Sequence, residues 1–227
     1  MTARRIAHDQ PESFAFTPES MREVDFWLAK YPEARKRSAV IPLLWIAQKQ
    51  QGGWLPEPAM RAVAALLDMA YIRVFEVASF YTMFNLEPVG RYHIQLCGTT
   101  PCMLRGSEDL KTVLKDRIGP KGAVTPDRLF SWIEVECLGA CCNAPMVQIS
   151  TAESDHYYED LTPELLSKLM DDLAAGRDAK AGPQIERQTS APAGGPTTLT
   201  DPSLYDGSRA QPLKEIPNAQ PASGEAG

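Results

Sequence analysis

Five cysteines in a 227-residue chain fall into two short clusters. QLCGTTPCMLRG carries Cys97 and Cys102, and ECLGACCNAPMVQI carries Cys137, Cys141 and Cys142. If these thiols act together, the fold must bring two loops, distant in the chain, to one point. The flanking patterns say how. RYHIQLC alternates and reads as a strand ending at Cys97, and FSWIEVEC reads as a second strand ending at Cys137. Between them, MLRGSEDLKTVLKDRI reads as an amphipathic helix. Two parallel strands joined by a crossover helix have their C-terminal ends on one edge of the sheet. Ligands of α/β sheets collect at that edge.

The rest of the chain divides around this region. Residues 1–16 read as a flexible arm, and 17–90 as a helical N-terminal domain. In TPESMREVDFWLAKYP, Thr17 is the N-cap and Pro18 takes the first helical position. KRSAVIPLLWIAQKQQGGWLP follows, with Pro42 confined to the first turn or kinking the helix. PEPAMRAVAALLDMA is a third helix. VFEVASFYTMFNL is a fourth element, apolar nearly all round, read first as core and second as a contact surface. From 91 to 176 the order is β-α-β-β-β-α. The strands MVQIS and HYYED precede a last helix that Thr162 caps and Gly176 ends. The fold class is therefore α+β. Residues 177–227 are rich in Pro, Gly, Ala and Ser and read as an extended or disordered tail, with Leu204, Tyr205, Leu213 and Ile216 as its few apolar anchors.

Composition narrows the chemistry. With 23 Lys+Arg against 29 Asp+Glu the net charge is -6, which argues against nucleic acid as the main partner. No stretch approaches the roughly 18 apolar residues of a membrane span, so direct membrane insertion is not expected. The N-terminus has two arginines but no apolar core, unlike a secretory signal, and Asp9 and Glu12 come early for a mitochondrial one. A cytoplasmic or matrix-type protein is expected, and in such a reducing compartment clustered thiols hold metals or do redox chemistry more often than they form disulfides.

The residues alone leave three fillers open. Zinc on four thiolates usually uses short C-x2-C to C-x4-C knuckles. A thioredoxin-like dithiol wants C-x2-C, which is absent. A 2Fe–2S cluster takes four thiolates and accepts longer intervals, C-x4-C included. Gly98, Gly139 and Ala140 leave backbone amides close to the sulfurs as donors, and Pro101 and Pro145 stiffen the loops.

CGTTPCMLRG, CLGACCNAPMVQI, YYEDLTPE and the upstream VASFYTMFN, in this order, resemble the thioredoxin-like 2Fe–2S (E-type) subunit of respiratory NADH:quinone oxidoreductase, complex I. The resemblance runs from about Phe16 to Leu173 and extends to the related subunits of NAD-linked hydrogenases and formate dehydrogenases. It implies a thioredoxin-like fold for 91–176 and one 2Fe–2S cluster, with Cys97, Cys102, Cys137 and Cys141 as ligands. It leaves Cys142 as the spare, expected to be a small buried hydrophobe. It also implies a cis bond at Pro145.

The function that follows is one-electron transfer within an NADH-oxidising module. The chain shows no Gly-rich nucleotide loop, and His8, His93 and His156 are scattered, with His93 read as structural. FMN and NADH are thus expected on a flavin-bearing partner subunit, among other peripheral-arm subunits. The complex would sit on the cytoplasmic side of a bacterial inner membrane, or on the mitochondrial matrix side. The helical region, with Trp27, Trp45, Trp54 and Phe80, is the candidate docking surface. Backbone donors at Gly98 and Gly139, with Arg105, would favour reduction, and Glu134 and Glu136 would oppose it, so a low potential is expected. A four-cysteine zinc assembly module and a thiol-redox enzyme are the alternatives from other classes.

Overall fold

Helix α1 (Pro18–Leu28) begins where Thr17 Oγ1 accepts from the Ser20 amide at 3.1 Å. A 3-10 segment, Glu33–Ala39, leads into α2 (Val40–Gln50), where Pro42 lies in the first turn and removes no helical hydrogen bond. Next come α3 (Glu57–Leu66) and α4 (Tyr71–Phe80). The four helices enclose one core, with Val24, Leu43, Leu44, Met60, Val63 and Val74 fully buried. The chain then returns across α2: Gln48 donates to the Met83 carbonyl at 3.1 Å and accepts from the Asn85 amide at 2.7 Å. The structure, a computed structural model, describes residues 5–188 and 197–204.

The fourth helix is only partly the core element its composition suggested. It buries Val74 and Ala78, while Ile72 and Phe80 stand 55% and 76% exposed. Of the four aromatics expected on a docking face, Trp54 is buried, Trp27 and Trp45 pack partly into the helical core, and Phe80 alone is open. Phe26, 58% exposed on α1, joins it.

At Gly90 the backbone runs so close to Phe130 and Ser131 that any Cβ would meet their main chain. The period then changes from helix to strand. Strands β1 (Tyr92–Cys97), β2 (Phe130–Val135), β3 (Val147–Ser150), β4 (Asp155–Glu159) and β5 (Gly182–Pro183) form one sheet in the order β2-β1-β3-β4-β5. The β1–β2 pair is parallel, as convergence of the two cysteine loops requires. Strand β3 runs antiparallel to β1 and to β4. The expected connecting helix is two helices, α5 (Thr100–Leu104) and α6 (Ser107–Arg117). They break at Gly106, whose φ of 104° only glycine adopts without strain. With α7 (Pro163–Ala174), capped by Thr162, α6 covers one sheet face, its Leu110 and Leu114 sharing a core with Ile94, Leu96 and Trp132 of the strands.

The other face carries His93, which is 4% exposed and hydrogen-bonded through Nδ1 to Ser131 Oγ at 2.8 Å, so it is structural. The order is the thioredoxin-like βαβββα pattern, and the Ala144–Pro145 bond is cis. Where the sequence ends the folded domain at Gly176, the structure carries it on through β5 to Gln188. Of the tail anchors, Leu204 lies in a short 3-10 turn, Pro202–Leu204; Tyr205, Leu213 and Ile216 lie outside the described residues.

Candidate metal centre

Cys97 is the last residue of β1, level with Val135 of the parallel neighbour, and Cys137 follows two residues later. Both strands therefore deliver a sulfur at the same sheet edge. Past Cys97 the chain turns through Gly98 and Thr99 into α5, whose third residue is Cys102. Past Cys137 it turns at Gly139, with φ 86°, into a 3-10 turn over Cys141–Asn143. Cys97, Cys102, Ala140, Ala144 and Met146 form a small cluster of their own, nearly shut off from water. Cys137 and Cys141 lie at its exposed rim.

The sulfurs come in two pairs. Cys137 Sγ and Cys141 Sγ are 3.4 Å apart, and Cys97 and Cys102 lie together in the buried cluster. The Thr99 hydroxyl lies 3.4 Å from Cys97 Sγ. Burial pushes the Cys97 thiol up, but hydrogen bonds from the Thr99 hydroxyl and amide, the Leu138 amide and Cys102 outweigh it and bring the thiol below its ordinary value. Burial, then the proton held toward Cys97, pushes Cys102 up to about 12. At the rim, the Gly139 amide, donating at 3.4 Å, and the Cys141 thiol lower Cys137, while Cys141 is raised because its proton is held toward Cys137.

Among the described residues, no three His, Cys, Asp or Glu side chains close on one point to hold a single metal ion. Two converging pairs of cysteines suit a two-iron group, which takes two thiolates on each iron. The donor set therefore fits a 2Fe–2S cluster.

Several neighbours differ from expectation. The Gly98 amide is spent on the Val135 carbonyl at 3.1 Å, so it is not a sulfur donor. A Cβ at Gly98 would meet the Glu134 side chain, which would have to shift to admit it. Glu134 is itself offset by Lys111, whose Nζ lies 2.9 Å from Oε1. Arg105 reaches the Ala144 carbonyl at 3.5 Å, the far limit of a hydrogen bond. Cys142 is exposed, not buried. Sequence reasoning did not find Thr99, or Tyr157, whose hydroxyl donates to the Leu138 carbonyl at 2.8 Å and holds the loop between Cys137 and Gly139. Thr99 had a usable signal, since it sits two residues after one ligand candidate. Tyr157 had none.

Residues 24–174 match the family described as thioredoxin-like 2Fe–2S ferredoxin. The E 1 subunit of NADH-quinone oxidoreductase from Rhizobium meliloti (strain 1021) is 51% identical over 208 residues, 89% of this chain and 74% of that protein. The E-type subunit of NADH-quinone oxidoreductase from Rickettsia bellii (strain RML369-C) is 54% identical over 162 residues, covering 71% of this chain and 95% of that one. Among solved structures, an NAD+-reducing NiFe-hydrogenase in its H2-reduced state superposes with a TM-score of 0.51 at 21% identity, over 60% of this chain and 23% of that chain, a likeness of fold.

Proposed function

The chain belongs to the thioredoxin-like 2Fe–2S ferredoxin family, and from that premise we propose that it is the electron-transfer subunit of the NADH-oxidising module of an NADH:quinone oxidoreductase. It carries one 2Fe–2S cluster on Cys97, Cys102, Cys137 and Cys141. The observation that carries the ligand assignment is the convergence of two cysteine pairs at one sheet edge, with the Thr99 hydroxyl 3.4 Å from Cys97 Sγ. Identity of 51–54% to subunits of NADH-quinone oxidoreductase supports that complex over a hydrogenase module, for which the likeness is one of fold.

When bound, the cluster supplies one-electron transfer, its formal charge with four thiolates going from about minus two to about minus three on reduction. The chain's own groups manage that charge. The Thr99 hydroxyl and the Gly139 amide donate to the sulfurs and ease the added electron. Ala140, Ala144 and Met146 exclude water from the inner pair. The outer pair faces outward, and Met103 and Leu104, 47% and 76% exposed, follow directly after Cys102. An open apolar collar beside a redox group suits docking of an electron donor. The donor is the flavin- and NADH-binding partner subunit. Among the described residues no helix is long and apolar enough to cross a membrane, and the chain takes a peripheral place on the cytoplasmic face of the complex.

The visible spectrum of the anaerobically purified chain tests this. A red-brown protein that bleaches on reduction is expected, with the colour lost in Cys97→Ser and kept in Cys142→Ser. A colourless chain holding stoichiometric zinc would overturn the reading, because d10 zinc gives no visible bands.

A further inference from the structure

The chain does not leave the folded body where α7 ends. Beyond Gly176 it runs back along the sheet, where β5 pairs in parallel with Tyr158 and Glu159 and the Gln184 amide donates to the Glu159 carbonyl at 3.0 Å. It then reaches the turn that follows Cys141. One Arg187 Nη donates to the Cys142 carbonyl at 3.2 Å, and the other to Asp160 Oδ1 at 3.2 Å. The Gln188 carbonyl accepts from Asn143 Nδ2 at 2.9 Å, and the same nitrogen donates to Glu159 Oε2 at 2.6 Å. Asn143, Glu159 and Asp160 are 1%, 3% and 6% exposed. The Asp160 amide, at a φ of 54°, donates to the Asn143 carbonyl at 2.8 Å.

These contacts form one unit. A buried carboxylate is costly unless a cation answers it. Asp160 has Arg187 as its ion-pair partner, while its Oδ2 has no hydrogen-bond partner among the described residues. The guanidinium that compensates Asp160 is therefore the group that grips the loop between Cys141 and Asn143. A planar fork serves two acceptors in fixed directions, which a lysine ammonium does not.

We propose that residues 182–188 are a clasp on the cluster-binding loop, and that Arg187 is a positioning residue for the metal centre. The clasp holds the Cys141–Asn143 turn from outside through the Cys142 carbonyl and the Asn143 amide. It also sets a positive charge beside a loop that carries a ligand, and that charge favours the more negative, reduced state. The inference rests on Cys141 being a ligand, as proposed for the metal centre.

The test uses the full-length, cluster-loaded chain as wild type, R187Q and R187K. Two quantities are read: the rate of cluster loss to excess iron chelator, followed by visible absorption, and the reduction midpoint from a mediated titration. R187Q is expected to lose its cluster about tenfold faster, the equivalent of one charge-assisted hydrogen bond, and to show a lower midpoint. R187K should recover the midpoint, because the charge returns, but not the slow release, because the fork does not. Should R187Q fold poorly with Asp160 uncompensated, D160N/R187Q removes that burden and should still release faster. Release at the wild-type rate with an unmoved midpoint overturns the clasp alone. So does faster release that only follows a lowered unfolding temperature while the midpoint stays put. A wild-type chain that cannot be loaded even by reconstitution overturns the ligand assignment, and the clasp with it.

Discussion

Cys141 and Cys142 are neighbours, both exposed, and in the proposed reading only the first binds iron. The sequence suggests that adjacent side chains in an extended loop diverge, which would send Cys142 inward. The loop instead tightens into a 3-10 turn, and the residue it buries is Asn143. Cys142 is left with its sulfur facing solvent and its carbonyl on Arg187. Thiolates bound to a metal are withheld from alkylating reagents, whereas an exposed free thiol is not. The loaded chain should therefore take up iodoacetamide at Cys142 alone, and the chain stripped of metal and denatured should take it up at every cysteine. Peptide mass mapping reads the difference; label on Cys141 of the intact loaded chain would mean that the two had been assigned the wrong way round. The convergence of the two cysteine clusters was legible because strand-end positions are one-dimensional facts, whereas the choice of Cys141 over Cys142 came from the resemblance. The roles of Thr99, Tyr157 and Arg187 were not legible, since each acts across the fold on atoms that sequence does not place beside it.

Among the elements, α4 shows why composition misleads. VFEVASFYTMFNL reads as apolar nearly all round, yet in the helix it enters only Val74 and Ala78 are fully buried, and Tyr71, Phe75 and Val77 pack partly onto the helical core. Ile72 and Phe80 face outward because the core is already closed by α2 and α3. Large exposed apolar side chains clustered on one element are a partner's surface more than a fold's. Replacing both, Ile72→Ser with Phe80→Ser, should leave stability within about 0.5 kcal/mol, the usual range for surface changes. It should weaken association with the flavin-bearing subunit by about tenfold or more, as loss of an aromatic anchor does. Co-purification and thermal unfolding of the variant together check this; unchanged association would move the docking face elsewhere, to the collar at Met103 and Leu104. The break at Gly106 and the strand β5 were hidden for a different reason. One needed the φ of a single glycine, and the other is two residues long, too short to show any period.

Within residues 5–188 a helical core and an α/β core meet along a polar seam. The seam is a cleft of about 300 Å3 between α2 and the open sheet face, where Trp45, Gln48, Gln95 and Gln148 meet His93, and Cys137 stands at its edge. Charged groups of both signs line it, Lys49 and Arg91 against Glu136 and Asp155. Burial at this seam lowers His93 from the ordinary 6.5 to about 4, so the folded protein holds a neutral imidazole through mildly acid pH. The unfolded chain protonates first as pH falls. The contribution of His93 to stability is therefore full above about 6.5, is lost between about 6.5 and about 4, and is flat below that. A shift of this size corresponds to roughly 3 kcal/mol across the window. Denaturant unfolding of wild type and His93→Asn at pH 7 and pH 5 isolates it, because cluster and carboxylate effects common to both cancel in the difference. The variant starts less stable, having lost the Ser131 hydrogen bond and some packing, but should lose less on acidification than the wild type does. Equal losses would mean that the burial of His93 does not set the acid sensitivity of the fold.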